Sequence, residues 1–555
     1  MPTTNRMSAG KAVVKTAEVL GIERVFGIPG HHILDIYDHL GESDLEHVMG
    51  KNEEGVIRAA NAVGRATGTP TMAFISAGPG AINSMTGVGE ATALSIPIVV
   101  IVGAEPKRDG PHNIDSPTAV PQMFAAISKD FQLVEDPREV PEMINRAFAV
   151  AQRGRPGPAV VQIPMDTLKA TAEYSRFETP QVEMNPLIPS SETITKAVDT
   201  VERAERPLVV MGQGGLRAGL TDTVDSLAEQ LGAPVVVTQR GMSGYVERPR
   251  YCGGYAPTVM HTPAERVADR ADLIVGIGVR ESLRRYYATT FVGDEIYLCE
   301  SLERHEIGTV LLSGDLERTA EQLCERLGFR NTEWWKELAA TGWDDEEKHR
   351  REVAEAEIAW PKPIGGLNPA EFFDPTDRPV HPILLMETLN QVVGPDALYT
   401  IDIGAHTQHA MRYLELGEPN SFFGPENWGA MGHALPSAIG AKVACPTKDI
   451  VAIAGDGGFL MTMQEYKTAV EEELDLLLCI VNNHQHNAIH MDMQTQYGES
   501  GFTGIPGFDY VTFAESAGGT GYRVRDREQL AETLERAQRD DGPVLVDILT
   551  VPNVT

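Results

Sequence analysis

Short apolar runs that end in glycine or another turn residue, each followed by a stretch of helical period, recur along the chain. RVFGI, TMAFISA, IPIVVIVG and PAVVQIP fall between residues 8 and 168. They read as continuous apolar runs rather than alternating ones, which predicts strands buried on both faces of a parallel sheet. The stretch from Ala170 to Ser190 is turn-rich and without period, and reads as a linker. PLVVMGQGG, APVVVTQRG and ADLIVGIGVR repeat the strand-then-glycine pattern in a second unit that ends near Arg330. Residues 331–377 set Trp334, Trp335, Trp343 and Trp360 amid charge ahead of PKPIGGLNP, which predicts a surface helix and then a crossover. ALYTIDIG, DIVAIAGDGG, DLLLCIVNN and PVLVDILTV define a last unit. The expected fold class is α/β, with three tandem open parallel-sheet domains at 1–178, 190–330 and 378–555.

A chain of 555 residues is too long for one hydrophobic core, in keeping with several domains. With 42% apolar residues and no uninterrupted apolar run of about 18, no membrane span is expected. The start lacks a basic segment, an apolar segment and a small-residue cleavage site, so the cytoplasm is the expected location. Cys252, Cys299, Cys324, Cys445 and Cys479 show no CxxC spacing and read as buried thiols, not as a zinc or disulfide framework. The 79 acidic residues outnumber the 47 basic ones, and the net charge of −32 argues against nucleic acid as a partner. Acidic residues are spread along the chain and the basic ones divide into 34 Arg and 13 Lys. Such a surface suits a protein that stays hydrated in concentrated salt, so a halophilic protein is expected.

The clearest chemistry lies in IVAIAGDGGFLMTMQEYKTAVEEELDLLLCIVNN. It reads as a strand, a Gly-Asp-Gly turn, an amphipathic helix starting near Phe459, and a second strand ending in two asparagines. Gly455 and Gly457 are expected to let the backbone turn tightly, so that Asp456 points a hard carboxylate oxygen into the crevice where open α/β sheets bind ligands. One strand–helix–strand crossover returns Asn483, 27 residues on, beside that aspartate with a neutral amide oxygen. Oxygen-only ligation with few charges is what Mg²⁺ plus a diphosphate requires, and the helix adds the positive end of its dipole.

GDG followed by NN at this distance resembles the metal motif of thiamine diphosphate enzymes. From VFGIPG to VNN the chain is similar in domain order to acetolactate synthase and its relatives, the group that includes pyruvate oxidase, benzoylformate decarboxylase and benzaldehyde lyase. The resemblance implies a pyrimidine-binding first domain, a central Rossmann-like domain and a diphosphate-binding last domain. It implies that Asp456, Asn483 and the main-chain oxygen of Gln485 hold Mg²⁺, with Gly455, Gly457 and Gly458 around them. KNEEGVIRAANAVGRATGTP resembles the segment whose glutamate faces the aminopyrimidine ring, where Glu53 fits. ISAGPGAIN resembles the loop that packs on that ring and implicates Pro79 and Asn83. IDIGAHTQHA resembles the diphosphate-side segment and implicates Gly404, Ala405 and His406. NWGAMGHALPSAIGAK resembles the segment whose glycine carbonyl holds the amino group and whose bulky apolar residue bends the cofactor, here Gly429 and Met431. In this family the first domain of one subunit faces the third domain of another, which implies a homodimer or homotetramer with active sites between subunits.

Substrate choice rests on other residues. GIPGHHILDIYDHL carries His31 and His32 where acetolactate synthases usually have small residues. A histidine falls at the place of His32 in benzaldehyde lyase and a serine near His31 in benzoylformate decarboxylase, both facing the reacting carbon. An imidazole there can move protons near neutral pH, and a histidine that merely caps the next helix is the alternative. His484, His486 and His490 make the segment around Asn483 more polar than the family's pyruvate pocket, and no acidic or thiol partner completes them as a zinc site. Gln122 does not fall where the glutamine of acetolactate synthase usually does. GQGGLRAG, from Gly212 to Gly219, and GVRESLR, from Gly278 to Arg284, are reminiscent of the FAD site of acetolactate synthases, but IYLCESLERHEIG departs from it, so FAD stays open. The expected function is a non-oxidative 2-oxo acid decarboxylase or carboligase, acetolactate synthase-like, acting on small 2-oxo acids or aldehydes. An aldehyde lyase or aromatic 2-oxo acid decarboxylase is the alternative, and a flavin-dependent oxidase a third reading.

Overall fold

The computed structural model describes residues 5–107, 120–174, 177, 187–245, 250–256, 259–260, 262–280, 293–300, 310–329, 334, 374, 376–425 and 428–552. Strand β1 (Asn5–Ser8) precedes a first sheet of β2 (Arg24–Gly27), β3 (Glu46–Met49), β4 (Thr71–Ile75), β5 (Ile98–Ala104), β6 (Asp130–Leu133) and β7 (Pro158–Pro164). All six run parallel in the order β3-β2-β4-β5-β7-β6. After β8 (Thr171–Tyr174), a central sheet holds β9 (Pro207–Met211), β10 (Val235–Thr238), β11 (Tyr251–Ala256), β12 (Val259–Met260), β13 (Leu273–Ile277), β14 (Asp294–Cys299) and β15 (Val310–Ser313). Its order is β12-β11-β10-β9-β13-β14-β15, with only β12 antiparallel. The last sheet, of β16 (Leu398–Ile401), β17 (Phe422–Phe423), β18 (Ile450–Gly455), β19 (Leu476–Asn482), β20 (Thr520–Val524) and β21 (Pro543–Leu549), is parallel in the order β17-β16-β18-β19-β21-β20. The α/β class expected from the apolar runs is therefore what the chain adopts.

The first and last sheets share one topology: ranked along the chain, both read second, first, third, fourth, sixth, fifth. Each has a switch point, between β2 and β4 and between β16 and β18, where successive connections leave in opposite directions and open a crevice at the carboxyl ends of the strands.

One expectation needs correction. The stretch from Ala170 is not all linker, because β8 pairs antiparallel with β1 from Ser8↔Thr171 to Asn5↔Tyr174. Tyr174 anchors it by donating a hydrogen bond to Pro137 O (2.7 Å). Of the segment IYLCESLERHEIG, Ile296–Cys299 belong to the buried strand β14, and residues 301–308 lie outside the described residues. The surface helix and crossover foreseen at 331–377 lie almost wholly outside the described residues. Trp334, described there, is buried and donates from its indole to Pro207 O (3.0 Å).

The outer domains pack on each other within one chain. The helix Glu53–Thr67 lies against the helix Ala434–Ala444 so closely that a Cβ on Gly440 would stand 1.9 Å from Ala59 O. Arg65 reinforces the contact by donating to Phe422 O (2.9 Å) and Gly424 O (3.0 Å). Among the described residues, no helix is long and apolar enough to cross a membrane.

Candidate active site

At the β16/β18 switch point lies a cavity of about 360 Å³, a size that suits a small ligand. Gly404, Ala405, His406, Gly429, Met431, Gly455, Asp456, Gly457, Gly458, Asn483 and Gln485 all line it. Asp456 follows β18 directly and is buried, with Oδ1 accepting from Gly457 N (2.9 Å) and Oδ2 without a hydrogen-bond partner among the described residues. Burial pushes its carboxyl up to about 7, outweighing the backbone N–H groups of Gly457, His484 and Asn483 that favour the charged form. Asn483 follows the neighbouring strand β19, and its Oδ1 accepts from Gln485 N (3.2 Å).

The glycines and the helix differ from expectation here. Gly455 has φ −71°, an ordinary value, and Gly457 lies inside a helix that begins at Asp456, earlier than Phe459. These glycines answer to crowding rather than to a special turn: a Cβ on Gly457 would stand 2.5 Å from His486 Cε1. Starting the helix at Asp456 places that carboxylate in its first turn, close to the positive end of the peptide dipoles.

Facing this wall, the helix Ala405–Tyr413 presents its N-terminus, with Gly404 N donating to Thr407 Oγ1 (2.9 Å). Burial pushes the His406 imidazole down to about 4. It is therefore neutral near pH 7, and its Nε2 has no hydrogen-bond partner among the described residues. Met431 is held from behind by Arg58, a fully buried side chain that donates to Met431 O (2.8 Å) and pairs with Glu54 (2.7 Å). Glu90, likewise buried, stands 3.6 Å from Arg58 Nε and 3.1 Å from His433 Nδ1. Asp402 accepts from the backbone N–H groups of His433 and of Ala434, tying the Met431 loop to the end of β16.

The first-domain candidates form a second group, and none of them lines this cavity within one chain. Glu53 opens its helix behind Asn52, which accepts from Glu54 N (2.9 Å). The buried Glu465 carboxylate of the last domain accepts from Lys51 N (3.1 Å) and Asn52 N (2.9 Å), fixing that turn. Asn83 donates to Glu53 Oε2 (3.0 Å), and Pro79 opens the helix Pro79–Leu94 that carries it. His31 is exposed, its ring 5.6 Å from that of His32 and edge-on to it. His32 is held at both ring nitrogens, by Ser76 and by Glu105. Of the later histidines, His486 lines the cavity, while His490 Nδ1 lies 2.7 Å from Ser500 Oγ.

Sequence reasoning missed Ser76, Glu105 and Asp402, and also Gln239, which the central domain contributes to the cavity wall. One signal could have found them. Each is a polar residue immediately after a buried parallel strand, where open α/β sheets expose side chains to ligands.

The three units match thiamine pyrophosphate enzyme domains in order: the N-terminal TPP binding domain at residues 7–123, the central domain at 194–323 and the C-terminal TPP binding domain at 402–548. The chain belongs to the thiamine pyrophosphate enzyme family. Within it, the chain is 30% identical to the acetolactate synthase large subunit of Parasynechococcus marenigrum (strain WH8102), over 98% of this chain and 87% of that one. It is 28% identical to a probable acetolactate synthase large subunit of Methanococcus aeolicus, covering 99% and 92%. With the acetolactate synthase isozyme 3 large subunit of Escherichia coli (strain K12) it shares 26% identity, covering 98% and 94%.

Proposed function

We propose that this chain is a thiamine diphosphate- and Mg²⁺-dependent, non-oxidative 2-oxo acid decarboxylase or carboligase of acetolactate synthase-like type. The observation that carries this reading is the buried, unpartnered Oδ2 of Asp456, set beside Asn483 and across from a helix N-terminus. A carboxylate there calls for a cation, and the helix end and the neutral His406 call for an anion, so the site fits a metal diphosphate. Asp456, Asn483 and the Gln485 main chain would hold Mg²⁺, and Gly404, Ala405 and His406 the diphosphate. Gly429, Met431, Pro79 and Asn83 would hold the rings, and Glu53 would exchange the proton at the pyrimidine. Bound thiamine diphosphate supplies a carbon nucleophile and an electron sink beside a carbonyl.

In one chain Glu53 and its neighbours stand apart from the Asp456 cavity, which supports sites completed between two subunits of a homodimer or homotetramer. The domain limits at 178, 190, 330 and 378, a cytoplasmic location and adaptation to salt belong to the same reading. Flavin stays open: in the central domain Gly212 N donates to Ile277 O (2.9 Å) and Gly214 N to Gly278 O (3.0 Å), while residues 281–284 of GVRESLR lie outside the described residues. The aldehyde lyase reading stays second, favoured by the polar group around His32. The test incubates purified protein with thiamine diphosphate, Mg²⁺ and a panel of 2-oxo acids and 2-hydroxy ketones in high salt. Products that need both additions support the reading; turnover unaffected by leaving either out would overturn it.

A further inference from the structure

The first sheet has its own switch point, between β2 and β4, and polar side chains from three neighbouring strand ends meet there. His32 lies in the turn after β2, while Ser76 and Glu105 directly follow β4 and β5. His32 Nδ1 stands 3.2 Å from Ser76 Oγ and Nε2 3.0 Å from Glu105 Oε1. The His32 and Glu105 side chains are 18% and 21% exposed, so the group is open to the crevice yet shielded from bulk water. Glu53 opens the helix after β3, on the other side of β2, and Pro79 begins the helix three residues after Ser76. The group therefore shares a sheet edge with the residues proposed to meet the cofactor.

A neutral imidazole offers one donor and one acceptor. The Glu105 carboxylate can only accept, which places the ring proton on Nε2 and leaves Nδ1 to accept the Ser76 hydroxyl. Both ring nitrogens are then spent, so His32 cannot itself meet a ligand, as its place in the sequence had suggested. Of the groups that remain, the Ser76 hydroxyl can both accept a ligand's proton and donate its own.

We infer that Ser76, His32 and Glu105 form a proton relay in which the Ser76 hydroxyl exchanges a proton with a substrate oxygen and Glu105 is the positioning residue for the imidazole. The inference rests on the proposed function and deepens its substrate class. When a substrate O–H breaks, its proton goes to Ser76 Oγ while the Ser76 proton goes to His32 Nδ1, leaving an imidazolium beside Glu105. The reverse transfer returns a proton to an alkoxide oxygen, and no oxidant or reductant is consumed. A 2-hydroxy ketone has that chemistry. Its hydroxyl loses a proton as the adjacent carbon–carbon bond breaks to release an aldehyde, and regains it when the bond is made.

The test compares full-length wild type, Glu105→Gln, Glu105→Asp and Ser76→Ala, each saturated with thiamine diphosphate and Mg²⁺. The readouts are cleavage of acetoin and benzoin, cofactor affinity, and exchange of the cofactor C2 proton in deuterium oxide. Glu105→Gln and Ser76→Ala should lower kcat about 100-fold, the scale of a lost proton-transfer group, while KM, cofactor affinity and C2 exchange stay within about twofold. Glu105→Asp should recover part of the loss. A single variant that keeps kcat within about twofold of wild type would overturn the relay. So would C2 exchange that falls in step with kcat, which marks a structural role, or a wild type that exchanges C2 but cleaves no 2-hydroxy ketone. A wild type that neither binds the cofactor nor exchanges C2 would overturn the proposed function, and the relay with it.

Discussion

Burial alone would keep the Asp456 carboxyl protonated up to about pH 7, against an ordinary value of 3.8. Below the ordinary value the group is neutral folded or unfolded and costs nothing. Between the two values only the unfolded chain ionises, so this contribution to stability falls as pH rises, and above 7 the whole cost of about 4 kcal/mol is present. Metal-free wild type should therefore lose Tm relative to Asp456→Asn as pH is raised from about 5 to about 8. Mg²⁺ with thiamine diphosphate should reverse that difference. Thermal melts at matched pH check this, and a pH-independent difference would count against it.

Arg58 joins the first domain to the Met431 loop of the last. Its guanidinium is fully buried against Glu54, Glu90 and the Met431 carbonyl. Arg58→Met should cost about 3–5 kcal/mol in urea unfolding by leaving buried charge unpaired. Arg58→Lys keeps the charge but loses the fork that spans Glu54 and Met431. It should weaken thiamine diphosphate binding about 10-fold with a smaller stability loss, which a cofactor titration measures.

Between elements, the contact most sensitive to one atom is that of the helices Glu53–Thr67 and Ala434–Ala444. Gly440→Ala would drive a methyl into Ala59 O and force the outer domains apart. It should cost about 1–3 kcal/mol by overpacking, read by denaturant unfolding. Gly457→Ala pushes on His486 instead and should disturb the cavity more than the fold, so cofactor affinity should fall further than Tm.

Elements were legible where burial left a strong local mark. The continuous apolar runs at β4, β5, β7, β18, β19 and β21 gave their strands away, because both faces of those strands are covered. DFQL at β6, EHVM at β3 and TGYRV at β20 were not legible: β6, β3 and β20 are edge strands with few apolar positions, specified by pairing with distant partners. The site divides in the same way. The last-domain wall could be read from contiguous motifs such as GAMG and GDGG. The Arg58–Glu90–His433 group and the Ser76–His32–Glu105 group could not, because each assembles residues that are far apart in the chain and meet only once the sheets have formed.

For the whole molecule, a net charge of −32 makes self-repulsion a global property that dissolved ions must screen. The screening length grows from about 3 Å in 1 M salt to about 30 Å in 0.01 M salt. Dialysis to low salt should therefore unfold the protein, followed by circular dichroism. Full structure and activity in low salt would remove the halophilic reading.

The cavity at the β16/β18 switch point is the proposed metal-diphosphate site. Titration calorimetry of thiamine diphosphate into the protein, with and without Mg²⁺, addresses that directly. Wild type should bind saturably only when Mg²⁺ is present, and Asp456→Asn should not bind under either condition. Equal binding without Mg²⁺, or undiminished binding by Asp456→Asn, would contradict it.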